Sequence, residues 1–257
     1  MWSREELKSR AKAVLKTNYW KALLISLVIG IASGNSGGNT GGSSRINLNN
    51  DSSINNYGDS SNWILSDSIF SNITANVLAV IALGAIVITI IIVFASAFRV
   101  LLGYPLEVGG RRYFIKSARY EDNSKCFSFA FYRENYSGIV FTMLLKGIKN
   151  FLWYLLFIIP GIVKSYSYSM VPYILAENPN IGTTRAIELS KNMTDGHKFD
   201  MFVLDLSFIG WWLLCLLTLG LGLIFLAPYI NATKAELYLV LRDNALNNGI
   251  CSYEELA

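Results

Sequence analysis

The sequence predicts an all-α membrane protein, a polytopic helical bundle of about six transmembrane helices with additional interfacial helices. Three observations predict it. The 257-residue chain is 53% hydrophobic and only 16% charged, where soluble domains carry about 25% charged residues. Val77 to Phe98 runs without a single charge, enough to cross about 30 Å of hydrocarbon. Further apolar runs recur towards the C-terminus, separated by polar stretches carrying Lys and Arg.

Taken in order, residues 1–18 predict a cytoplasmic amphipathic helix. Ser3 and Glu6 fit a capping box, and Leu7, Ala11, Val14 and Leu15 recur at helical spacing. It reads as a solvated helix leading into the membrane, with anionic lipid at the cytoplasmic face as the partner of its basic residues. A long charged lead and no small-residue cleavage site argue against a secretory signal. The first span starts at Tyr19-Trp20 and runs through Ala22 to Ala32. That run is short, so flanking residues must share the crossing. Residues 33–76 are rich in Gly, Ser and Asn, with one basic residue, Arg45. They predict a flexible extracytoplasmic loop, in which Asn72-Ile73-Thr74 has the form of a glycan acceptor. The second span is Val77 to Phe98.

Residues 103–135 read as a polar cytoplasmic connection with a bend at Gly109-Gly110, and with Phe127, Phe129, Phe131 and Tyr132 at the membrane interface. Their mixed charges and lack of an RNA-binding signature speak against a nucleic-acid partner. Tyr136 to Val163 holds the third span, with Lys146 and Lys149 near its start, placed to snorkel to headgroups. At Pro160-Gly161 the chain either kinks or reverses. Reversal gives six spans and two cytoplasmic termini. A kink moves Arg185, Lys191, Lys198 and Arg242 outside, against the usual bias of basic residues towards the cytoplasm.

The fourth span, Ile162 to Glu177, is short and polar. Tyr166, Met170, Tyr173 and Glu177 share a helical face, and Pro172 is expected to kink it. Residues 178–198 read as an interfacial helix ended by Gly196, with His197 as a helix-end cation. Phe199 to Thr218 is the fifth span, Leu219-Gly220 a tight turn, and Leu221 to Leu241 the sixth span, carrying Pro228, Asn231, Lys234 and Glu236. The tail is short and polar. The whole chain reads as a single membrane domain, multi-pass in the plasma membrane.

One histidine and three scattered cysteines leave no His-built metal site, no CxxC motif and no Ser-His-Asp triad. No cofactor and no catalytic motif is expected. Polar groups inside apolar spans are costly and need a reason. On that ground the candidate functional or packing positions are Pro160, Gly161, Lys164, Tyr166, Tyr168, Ser169, Tyr173, Asp205, Asn231 and Glu236. Two readings lead. One is a non-enzymatic accessory, assembly or resistance component acting through membrane-protein partners. The other is a small-molecule or ion permease using the broken helix around Pro160-Gly161. A lipid-modifying enzyme built on Asp205 is a weaker third, since Asp200 and Asp205 lie about 140° apart on a helix.

Several motifs carry a family resemblance: Arg4-Glu5-Glu6-Leu7-Lys8 with Asn18-Tyr19-Trp20-Lys21, Ile159-Pro160-Gly161-Ile162-Val163-Lys164 with Tyr166 and Tyr168-Ser169-Met170, Tyr173-Ile174-Leu175-Ala176, Asn178-Pro179, Ala186-Ile187 with Ser190, Leu206-Ser207-Phe208-Ile209-Gly210-Trp211, and Pro228-Tyr229. Together they resemble the bacterial integral membrane proteins of domain-of-unknown-function family nine-seven-five. The resemblance implies a helical bundle in the cytoplasmic membrane of a Gram-positive-type bacterium. It implies no activity and supplies no functional residues.

Overall fold

The computed structural model describes residues 2–33, 63–217 and 220–256. Every regular element among them is helical. Where the sequence reads as one domain, the chain clusters into two compact units, Gly38–Ala97 and Met1–Gly37 with Phe98–Ala257.

In the smaller unit, helix α2 (Trp63–Phe98) begins inside the stretch expected to be a loop. Leu65, Ile69 and Ile73 recur every four residues, a helical spacing that leads into the apolar run. Asn72-Ile73-Thr74 therefore lies on a helix. Residues 34–62 of the expected loop, with Arg45, lie outside the described residues.

The larger unit opens with α1 (Arg4–Ser33), whose helical geometry breaks at Asn18 (φ −135°, ψ 32°) between the amphipathic and apolar halves. Ser3 caps it as expected, its Oγ accepting the Glu6 N–H at 3.2 Å. The first half is packed rather than solvated. Leu7, Ala11, Val14 and Leu15 are buried, and α1 lies along α11 (Leu221–Asn247). Lys8 donates to Ser207 Oγ at 2.7 Å and stands 4.5 Å above the Phe208 ring. The apolar stripe read as a route into the membrane is satisfied by protein.

The largest correction concerns residues 103–135. A π turn, Arg99–Gly103, runs into α3 (Tyr104–Ala118) and, after a loop, α4 (Cys126–Phe131). Helix α3 is a core element, with Val108, Tyr113, Phe114 and Ile115 buried. Gly109 and Gly110 make no bend. They sit mid-helix where α1 and α4 press closest. A Cβ on Gly110 would lie 2.4 Å from Ile29, and one on Gly109 3.1 Å from the Cys126 carbonyl oxygen. The glycines thin a helix face for packing, a use that composition does not distinguish from a turn.

Helix α5 (Arg133–Leu156) ends at Phe157, which is extended (φ −156°, ψ 144°), and α6 (Ile158–Ser167) returns along it. The contacts run backwards along α5: Gly161 meets Tyr154, Lys164 covers the Trp153 ring at 4.9 Å, and Thr183 meets Thr142 at 2.9 Å. The chain therefore reverses, at Phe157 rather than at Pro160-Gly161. Pro160 falls in the first turn of α6, where its missing N–H is one of the helix's orphan donors. Gly161 lets the arms approach, since a Cβ there would stand 2.6 Å from the Tyr154 ring.

The expected fourth span is interrupted at Tyr168–Met170, and α7 (Val171–Glu177) follows. Pro172 starts that helix instead of kinking one. Helix α8 (Thr183–Met193) buries Ala186, Ile187, Leu189, Ser190 and Met193 in the core, so its apolar face meets protein. Gly196 takes the left-handed conformation (φ 75°) after it. The expected fifth span is also interrupted, into α9 (Lys198–Leu206) and α10 (Ile209–Leu217), with Ser207 and Phe208 between. Gly220 (φ 86°) leads into α11.

Among the described residues three helical stretches are long and apolar enough to cross a membrane: Arg4–Ser33, Val77–Ala118 and Arg133–Leu156. The described residues thus form an all-helical structure with three candidate membrane spans, which fits a membrane protein.

Candidate functional site

Helices α6 and α9 come together beside the Tyr168–Met170 interruption. Tyr166, on the last turn of α6, donates its hydroxyl to Asp205 of α9 at 3.1 Å, and its ring meets Phe202 edge-on at 6.3 Å. Asp205 is also held by Lys234 of α11 at 3.1 Å. Tyr166, Asp205 and Lys234 form one wall of a cavity of about 320 Å³ that α3, α5 and the Tyr168–Met170 interruption complete. The size suits a small solute, near the lower end for ligand pockets.

The opposite wall belongs to α3. Glu107 and Arg111 lie one turn apart, 3.6 Å between charged atoms. Arg111 donates to Asn231 Oδ1 at 2.7 Å and to the Tyr173 hydroxyl at 3.2 Å, with its guanidinium 5.2 Å from the centre of the Tyr173 ring. Asn231 in turn donates to Ser26 Oγ of α1 at 3.0 Å. Four helices thereby fix one guanidinium, while its Nε remains buried without a hydrogen-bond partner. Lys146, Gly147 and Asn150 of α5 form the third side, with Arg99 and Tyr104 from the π turn and the start of α3. The Asn150 Oδ1 is likewise buried and unpartnered.

Of the expected positions, Tyr166, Tyr168, Ser169, Tyr173 and Asp205 line the cavity, and Asn231 stands behind it holding Arg111. Pro160, Gly161 and Lys164 do not; they build the α5–α6 hairpin. Glu236 is buried, 5% exposed, and does not line the cavity. Sequence reasoning missed Arg99, Glu107, Arg111, Lys146 and Asn150. A signal existed for two of them, since Glu107 and Arg111 have the i, i+4 spacing of a helical ion pair. Lys146 and Lys149 looked alike, yet Lys149 is exposed and Lys146 turns to the cavity.

A second polar cluster lies below α7. Glu177 accepts hydrogen bonds from Arg119, from the Tyr238 hydroxyl and from Arg242 Nε, the last at 2.9 Å. The Tyr238 ring stacks on Tyr173 at 5.3 Å, so the cluster adjoins the cavity wall. Beyond it the C-terminal tail is latched down. Arg185 binds both oxygens of Glu255, at 2.8 and 3.0 Å, and also the Ile250 carbonyl at 2.9 Å. That hydrogen bond holds the Glu255 carboxyl below its ordinary range and raises Arg185. Among the described residues no three His, Cys, Asp or Glu side chains gather as a metal site would require.

Residues 155–245 match the family model described as "Protein of unknown function (DUF975)". The resemblance read from the motifs is thus shown over that stretch, from the end of α5 through most of α11. No curated protein and no solved structure matches the chain.

Proposed function

We propose that this protein binds a small polar solute inside its helical bundle and carries it across the membrane. The observation that supports this reading is the polar cavity lined by the Tyr168–Met170 interruption. Interrupted helices expose backbone groups and gather polar side chains at the binding sites of transporters, and ionisable groups within a bundle mark solute paths. The interruption that supports this reading is Tyr168–Met170, whose residues line the cavity, whereas Pro160 and Gly161 do not. The accessory or assembly reading rests only on which motifs are missing, whereas the cavity is a positive feature.

The topology proposed with it has six crossings in the plasma membrane and both termini in the cytoplasm. The α5–α6 reversal and the bias of Lys and Arg towards the cytoplasm support it. Asn192 is exposed on α8 and reports on it. With Cys126, Cys215 and Cys251 replaced and Asn192→Cys introduced, an impermeant thiol reagent should label the site only after cell lysis. Labelling of intact cells would rule the topology out.

The function is tested with purified protein in lipid nanodiscs and in proteoliposomes. A panel of small anionic, cationic, zwitterionic and neutral solutes is screened for thermal stabilisation, then for uptake. A solute that stabilises the protein and enters protein-containing vesicles supports the reading. A panel without a single stabilising or transported member removes it.

A further inference from the structure

We infer that the cavity is an oxyanion site and that its ligand presents a carboxylate, phosphate or sulfonate group to Lys146 and Arg99. This inference rests on the solute-binding reading above and names the class of the solute.

The argument is a charge inventory. Four cationic side chains line the cavity, Arg99, Arg111, Lys146 and Lys234, against two carboxylates, Glu107 and Asp205. The carboxylates already face cations, and Glu107, which also acts on Lys146, is shared between Lys146 and Arg111, so the cavity keeps an excess of positive charge. Asp205 is bonded to Lys234 and Tyr166, and Glu107 faces Arg111. Among the described residues neither Arg99 nor Lys146 forms an ion pair. Lys146 is partly buried and Arg99, though exposed, faces the same cavity, so the two like charges repel, which a ligand with the opposite charge reverses.

Geometry points the same way. Of the two buried polar atoms left unpartnered here, Arg111 Nε is a donor suited to an oxyanion, while Asn150 Oδ1 is an acceptor that calls for a donor on the ligand, beside the two N–H donors of the same amide. Lys146 and Asn150 are four residues apart on α5, hence on one face. The Tyr104 hydroxyl lies beside them, 3.3 Å from where a Cβ on Gly147 would stand. Glycine there leaves room next to a phenolic donor. Arg99 arrives from the π turn, a distortion found often at functional sites. A Cβ on Gly103 would stand 2.6 Å from the Ala32 carbonyl oxygen, so the turn is seated tightly against the end of α1. One end of the cavity therefore offers two cations outside any ion pair among the described residues and several further donors, and Asp205 with Lys234 closes the other.

An oxyanion reaches such a site as a free solute or as a lipid headgroup. The test separates the two. Protein in phosphatidylcholine nanodiscs is titrated calorimetrically with inorganic phosphate, acetate, choline and glucose. Phosphate or acetate should bind saturably, and choline and glucose should not. Lys146→Met should weaken anion binding roughly tenfold to a hundredfold, as loss of a charged hydrogen bond does. Lys164→Met, on the hairpin outside the cavity, should not. Thermal unfolding without anion shows whether Lys146→Met is still folded, and Lys146→Arg should restore binding. In phosphatidylglycerol nanodiscs, weakened phosphate binding with phosphate-dependent release of lipid marks a headgroup as the occupant; unchanged binding marks a free solute. Either result upholds the oxyanion site. Binding of choline or glucose without phosphate or acetate overturns the inference and leaves solute binding standing. Equal losses in Lys146→Met and Lys164→Met overturn it as well. Absence of binding by every solute overturns both.

Discussion

The Glu177 cluster and the cavity adjoin across the stacked rings of Tyr173 and Tyr238, use the same residue types and differ in how completely they are paired. At Glu177 one carboxylate meets two guanidiniums and a phenol. Arg242 also reaches the Leu256 carbonyl at 3.3 Å and Asp243 at 3.7 Å. In the cavity Arg99 and Lys146 stand outside any ion pair among the described residues, and Arg111 Nε and Asn150 Oδ1 keep their hydrogen-bonding capacity. A fully connected polar cluster rigidifies a core, whereas a partly connected one is destabilising unless something else completes it. The first arrangement is what holding α3, α7 and α11 together requires. The second suits a site whose missing partner is a ligand.

The sharpest way to break this comparison is Glu177→Ala. Removing one partner from a buried ion cluster leaves Arg119, Arg242 and Tyr238 without their acceptor and should cost about 3–5 kcal/mol. Thermal unfolding in detergent should show a large loss. A change no greater than that of a surface substitution would place the structural weight elsewhere.

Gly161→Ala should have the next largest effect, and it tests the cavity side alone. The added methyl would meet the Tyr154 ring at 2.6 Å and the Tyr154 Cα at 3.0 Å. The ring can swing but the backbone cannot, so the α5–α6 arms must part, at about 1–3 kcal/mol. Because α5 carries Lys146 and α6 carries Tyr166, solute binding should fall along with stability. Unaltered binding would show that the hairpin does not set the cavity's width.

Much of this contrast was legible in the sequence, and the illegible part has a common cause. The helical class followed from composition. The cavity residues on the short polar span, Tyr166, Tyr168, Ser169 and Tyr173, stood out because hydroxyls in an apolar run are conspicuous. Residues 103–135 were misread because Glu107, Arg111 and Arg112 made α3 look like a solvated connection. The two arginines are held by distant segments, Arg111 by Asn231 and Tyr173, and Arg112 by the Ala176 carbonyl and the Phe129 ring at 3.6 Å. Local pattern carries no trace of such pairing. Gly109-Gly110 failed for the same reason, since only the neighbouring helix distinguishes a close approach from a bend.

Lys146→Met sharpens the comparison from the other side, with the opposite sign. Deleting a cation from a site with excess positive charge should leave the anion-free protein as stable as before or up to about 1 kcal/mol more stable, the trade expected where function holds unbalanced charge. Its effect on thermal unfolding should differ in sign from that of Glu177→Ala. A large destabilisation by Lys146→Met would mean that the lysine belongs to the scaffold.

The smallest expected effect is at the tail latch, which carries the pairing logic of the Glu177 cluster out to the surface. Arg185 and Glu255 are each about one-third exposed, 33% and 31%, so solvent screening leaves their pair roughly 0.2–1 kcal/mol. Glu255 has a depressed folded-state pKa through its hydrogen bond from Arg185. A depressed carboxylate adds stability that is fully present above its ordinary value, near 4.5, and is lost as pH falls through the folded value. Hydrogen exchange of residues 250–256, corrected for its intrinsic pH dependence, should therefore accelerate below the ordinary glutamate range. Arg185→Ala should produce the same acceleration already at neutral pH. The Glu177 cluster, buried and multiply bonded, should stay protected in that variant. If residues 250–256 kept full protection without Arg185, the Asn178 bond to the Glu255 carbonyl and the burial of Leu256 would be what holds the tail.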